Sequence, residues 1–188
     1  MIHLCLMLKK SEAKIIEAGF SVFSANPTAT LADVAKEAGV GRATLHRHYA
    51  GREDLMAALA VVAMQELDDA IEAATEDAPS YTEALRLSLE VIIPLADRQM
   101  FLANEPLDHV PEVLEAYTQQ LEETAEAVDA AKEEGGFDAD VPTAWIVQAI
   151  ETLTYAAWTV VRDGDATPEE AAALAWRTLQ SGLTGGAK

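Results

Sequence analysis

Six side chains able to meet a DNA base or phosphate crowd into the seven residues Arg42–His48 (RATLHRH), and none of the seven is a carboxylate. Read as a helix advancing about 100° per residue, the stretch turns Leu45, with Tyr49 one turn on, to one side. The arc opposite Leu45 collects His46, Ala43, Arg47, Thr44 and His48. Arginine, threonine and histidine hydrogen-bond base edges or phosphates, and an alanine methyl packs on a thymine methyl. This is the chemistry of recognition, not of bond breaking. Elsewhere no glycine-rich phosphate loop, no exposed-nucleophile context and no paired acid and base stand out. The reading is therefore a non-enzyme without a cofactor. His46 and His48 are i, i+2 and share no helix face, so no metal site is expected. His109, beside Asp108 and near Pro111, reads as a capped loop residue.

A recognition helix needs a second helix to hold it. Thr30 is a good N-cap, and Asp33 three residues on completes a capping box. Leu31, Val34, Ala35 and Ala38 fall at i, i+3, i+4, i+7, one apolar face. Gly39 ends that helix, because glycine accepts the left-handed conformation. Val40 is the apolar plug of the turn. Two short helices joined in this way form a helix-turn-helix, whose second helix reads base edges. Arg47, Thr44, His46 and Ala43 are the base-facing candidates. Arg42, Arg52, Tyr49 and Lys36 are placed for phosphate or structural roles, and His48, also in the outward arc, completes the DNA-contact set.

The run Ala38–Leu55, AGVGRATLHRHYAGREDL, resembles the signature of the tetracycline-repressor (TetR) family, approximately A-G-V-S-x-x-T-L-Y-x-H-F-x-x-K-x-x-L. Ala38, Gly39, Val40, Thr44, Leu45, His48 and Leu55 match. His46 stands where the family has Tyr, Tyr49 where it has Phe, and Arg52 where it has Lys. The last two keep an inward aromatic and a cation; His46 is the real departure. The resemblance implies an all-α homodimeric transcriptional regulator, usually a repressor released by a small molecule. It implies a head over residues 7–67, with the motif at about 30–49, and a ligand-binding and dimerisation body over 68–188. The partners so implied are double-stranded DNA carrying a palindromic operator, a second copy joined through the last two long helices, and an effector. The family's pocket would here be lined by Met64, Leu67, Ile93, Met100, Phe101, Tyr117, Trp145, Gln148, Thr152 and Tyr155. That set suits a largely apolar, flat ligand held by a few polar contacts. Two other classes compete: an acidic helical interaction module whose helix-turn-helix binds no operator, and an enzyme.

A net charge of −19 over 188 residues looks wrong for a DNA binder until its distribution is read. Residues 1–56 hold seven Lys/Arg against six Asp/Glu, so the remainder carries −20. DNA repels such a body, which confines docking to the head. Cys5 is the only cysteine, so no internal disulfide forms, compatible with a reducing cytoplasm. No apolar run approaches the ~18–20 residues that span a bilayer. The opening MIHLCLML lacks signal-peptide flanks, and Met7 is an alternative start to Met1.

The remaining sequence predicts helices. One over about 11–24 has Ile16, Phe20 and Phe23 as its buried stripe. A long one runs from about 51 to 76. Ser80 and Glu83 form another capping box, opening a helix from 81 to about 103 with Pro94 as a kink. A helix over 112–134 ends at Gly135-Gly136. The last two, 142–162 and from Thr167-Pro168-Glu169-Glu170 to about 181, carry close-packing alanines at 156, 157, 171, 172, 173 and 175. With Trp145, Trp158 and Trp176, they read as the association surface. Arg86 and Arg98 read as surface ion pairs, with one as a possible partner for an anionic effector.

Overall fold

The computed structural model describes residues 10–95, 101–102 and 105–183, and the helices there are α1 (Lys10–Ala25), α2 (Leu31–Glu37), α3 (Arg42–His48), α4 (Arg52–Thr75), α5 (Tyr81–Ile92), α6 (Pro111–Glu133), α7 (Thr143–Asp163) and α8 (Pro168–Leu183). No strand occurs among the described residues. The all-α reading holds. The chain falls into two compact units, Met1–Glu66 with Arg98–Ala116, and Leu67–Asp97 with Tyr117–Lys188. The first boundary lies within α4, beside the expected residue 67. The described residues 101–102 and 105–116 cluster with the first unit.

The reason is apolar. Phe101, Leu107 and Val113 pack into the core made by Ile15, Ile16, Phe20 and Phe23 of α1, Val34 of α2, Leu45 of α3 and Leu55, Met56 and Leu59 of α4. The Phe101 ring meets Phe20 edge-on at 6.1 Å and Phe23 at 6.2 Å. Fully burying one such side chain is worth about 1.5–3 kcal/mol, so this segment adds substantially to a small head. Phe101 is thus a head-core residue, and Met64 packs against the same core. Met100 and Arg98 lie outside the described residues.

Local caps act as their residue types dictate. Asp33 N–H donates to Thr30 Oγ1 at 3.3 Å, and Thr30 N–H donates to Asp33 Oδ2 at 2.9 Å, closing the box. Those bonds from Thr30 hold the Asp33 carboxyl below its ordinary value. The box therefore favours folding above the ordinary carboxylate range and is lost as pH falls through the depressed value. Gly39 has φ +63°, with Val40 N–H on Ala35 O and Gly39 N–H on Lys36 O. This doubly bonded left-handed cap turns the chain into α3. Thr167 and Glu170 make the same reciprocal box at α8. At α5 only half a box forms: Ser80 Oγ accepts from Glu83 N–H, but the Glu83 carboxylate goes to Arg86. The helix ends at Ile92, and Pro94 sits in a 3-10 turn, Ile93–Leu95; proline has no N–H to continue the helical ladder.

In the body, Leu85 of α5, Val128 and Ala131 of α6, Ile146 and Val147 of α7 and Leu179 of α8 form one apolar cluster. Leu89, Ile93, Ala157, Ala171, Ala172 and Ala175 form another. The alanines at 157, 171, 172 and 175 therefore pack α7 and α8 within one chain. Two tryptophans expected at an association surface are likewise engaged internally. Trp158 Nε1 donates to Ile92 O at 3.1 Å, and Trp176 meets Phe137 edge-on at 6.4 Å. Arg86 is ion-paired to Glu83 and Glu90, as a surface cation would be.

Candidate nucleic-acid interface

α3 is held from one side. Leu45 is 1% exposed and Tyr49, its C-cap, is 6% exposed. Burial first, and then the charge of Glu12, push the Tyr49 hydroxyl up to about 12. The buried Tyr49 ring anchors the head. The opposite arc is open: Arg42, Ala43, His46 and Arg47 are exposed and Thr44 is half-buried. Arg47 Nη2 donates to Thr44 Oγ1 at 3.0 Å, which aligns the guanidinium along the helix surface. Lys36, on α2, is exposed.

Two residues of the expected set have other partners. His48 is half-buried, and its Nε2 lies 2.9 Å from Ser11 Oγ on α1. It fastens the end of α3 to the first helix instead of facing outward. Arg52 donates from Nη1 to Ala29 O at 2.9 Å, and from Nη2 to Pro27 O at 2.7 Å and Glu105 Oε1 at 3.0 Å. Its guanidinium also stacks over the Phe23 ring at 4.4 Å. A planar fork with several donors suits this multiple grip, where lysine would supply one point charge. Arg52 ties the approach to the helix-turn-helix and the segment around Glu105 to the head. His109 Nε2 lies 3.2 Å from Glu53 Oε1 in the same unit, an exposed contact.

Residues 15–59 match the profile of the bacterial regulatory proteins of the tetR family. The HTH-type transcriptional repressor LfrR of Mycolicibacterium smegmatis is 31% identical over 157 residues, covering 83% of this chain and 82% of that protein. The chain belongs to the TetR family. It is a DNA-binding transcriptional regulator. Its TetR-type architecture extends well beyond the head. The crystal structure of LfrR from Mycobacterium smegmatis in complex with proflavine has a TM-score of 0.79 at 28% identity, covering 94% of this chain and 98% of that one. FadR from Bacillus subtilis, in complex with stearoyl-CoA, shares the fold with a TM-score of 0.76 at 18% identity, covering 90% and 97%.

The described residues assigned on sequence to a TetR pocket are placed as follows. Met64 and Phe101 belong to the head, and Ile93 is wholly buried in a body cluster. Leu67 is half-buried. Trp145, Gln148, Thr152 and Tyr155 recur at helical spacing on an exposed stripe of α7, with Trp145 66% and Tyr155 44% exposed. Tyr117 reaches α7 by donating its hydroxyl to Glu151 Oε1 at 2.7 Å, and the Gln148 amide bonds the other oxygen of that carboxylate. Burial, followed by Glu151, pushes the Tyr117 hydroxyl up to about 12. Glu151 was not read from the sequence, being one of many carboxylates at solvated helical spacing. Thr154 was also missed: its hydroxyl is buried without a hydrogen-bond partner among the described residues. Among the described residues no cluster of His, Cys, Asp and Glu could hold a metal, and no helix is long and apolar enough to cross a membrane.

Proposed function

We propose that this TetR-family regulator is a cytoplasmic homodimeric repressor that places two α3 helices in successive major grooves of a roughly palindromic operator and leaves it when a small effector binds the body. The observation that carries the reading is the exposed, carboxylate-free arc of Arg42, Ala43, His46 and Arg47 over the buried Leu45 and Tyr49. Arg47, aligned by Thr44, is the first candidate for a guanine edge, and Arg42 and Lys36 for phosphates.

Support for dimerisation comes from the face that α7 and α8 leave open. Trp145, Tyr155 and Ala156 on α7 are exposed, as are Ala173, Leu174 and Arg177 on α8, with Leu174 44% exposed. Large apolar side chains at such positions mark an association surface. Support for an effector comes from Thr154. A buried hydroxyl left unpaired costs about 1–3 kcal/mol, and a ligand hydroxyl or amine would relieve it. The similar LfrR was crystallised with proflavine, which supports a flat, ring-bearing ligand near Tyr117, Glu151 and Thr154. The ligand releases the repressor only if it prefers the conformation that DNA does not.

Enrichment of bound fragments from a random DNA library tests this reading. It should return two inverted half-sites whose centres lie about one helical turn, or a multiple, apart. Failure to enrich any sequence would favour the acidic interaction module.

A further inference from the structure

We infer that the start of α1 is a second DNA-contacting surface, a shallow groove in which Lys10 and Lys14 seat the phosphate backbone beside the half-site read by α3. The inference rests on the reading of α3 as the recognition helix. The groove has a volume of about 420 Å³ and is lined by Lys10, Ser11, Lys14 and Val40. Val40 belongs to the turn leading into α3, and Ser11 bonds His48 at the other end of α3. One lysine-bearing turn of α1 therefore lies against the recognition helix along its length.

Position and charge point to phosphate. A helix lying in a major groove about 12 Å wide has a sugar–phosphate strand on each side. Whatever flanks the helix on the protein must meet those strands. Lys10 and Lys14 are i, i+4, on one face of α1, and both are exposed. Neither forms an ion pair among the described residues, so both ammonium groups are open to an external anion. The nearest carboxylate in that turn, Glu12, lies close enough to act on buried Tyr49. Among the described residues that line the groove none is aromatic, and flexible ammonium groups read charge rather than sequence. The occupant it fits is a duplex phosphodiester backbone.

The test is operator binding as a function of salt, with wild type, Lys10→Gln/Lys14→Gln and Lys10→Arg/Lys14→Arg, each on the selected operator and on a scrambled duplex. Each phosphate contact contributes about 0.9 to the slope of log affinity against log salt. The Gln pair should lower the slope by about 1.8 for each bound head and weaken both duplexes by the same factor. The Arg pair should keep the wild-type slope. A Gln pair with wild-type slope overturns the groove alone and leaves α3 reading the operator. A change in base preference would assign the lysines to base edges and overturn the phosphate reading. A wild type with no preference for any duplex would overturn both.

Discussion

Arg52→Ala should lower the melting temperature of the whole chain by roughly 5–15 °C while leaving the salt dependence of DNA binding by folded protein unchanged. The guanidinium donates to Ala29 O, Pro27 O and Glu105 Oε1 and covers the Phe23 ring. Hydrogen bonds from a charged donor are worth about 1.5–3 kcal/mol. The Glu105 pair is partly exposed and adds at most about 1 kcal/mol. Truncation also strands two carbonyls, so a loss of about 2–4 kcal/mol is expected, without assuming that the parts add. Arg52→Lys keeps the charge but not the fork, and should recover only part of the loss. Thermal denaturation followed by circular dichroism measures this. A stable Arg52→Ala protein whose salt slope drops by about one would return Arg52 to the phosphate role implied by the family's lysine.

Leu174→Arg or Tyr155→Arg should split the dimer while leaving each protomer folded. Both side chains are exposed in the single chain, so a charge there costs little until a second copy covers it. An unpaired charge enclosed in an interface costs about 3–5 kcal/mol. Dimer affinity should therefore fall at least about a hundredfold, and operator affinity with it, since each monomer engages one half-site. Sedimentation reads the association, and far-ultraviolet circular dichroism confirms retained helix. Arginine at Ala172 or Ala175 would answer a different question, because both methyls are buried within the chain. A wild-type chain sedimenting as a monomer at micromolar concentration would remove the dimer.

The boundary between what could and could not be read from the sequence follows contact range. Thr30 and Asp33, Thr167 and Glu170, and Gly39 act within five residues, and residue type decides such caps wherever they occur. The inward side of α3 was legible because Leu45 and Tyr49 are one turn apart. Arg52 was not, since its acceptors lie 23, 25 and 53 residues away. Nor was the Ser11–His48 contact, across 37 residues. Phe101 is apolar in a stretch with no periodicity, and nothing local says which unit will bury it. The alanines of α8 illustrate a subtler limit. Ala172 is buried and Ala173 exposed, and the 100° between them emerges only once neighbouring helices are in place. Among the residues assigned to a pocket, Ile93 and Phe101 show how an apolar residue serves equally well as core.

The central claim, that the open arc of α3 reads bases, meets its most direct test in the ratio of affinities for the selected operator and a scrambled duplex at one salt concentration. Arg47→Ala should weaken operator binding by about 1–3 kcal/mol, roughly 5- to 150-fold, and relax preference at one position in each half-site. The scrambled duplex should lose much less. An equal loss on both would make Arg47 a phosphate contact that carries no sequence information, and an unchanged isotherm on both would contradict its place in the interface.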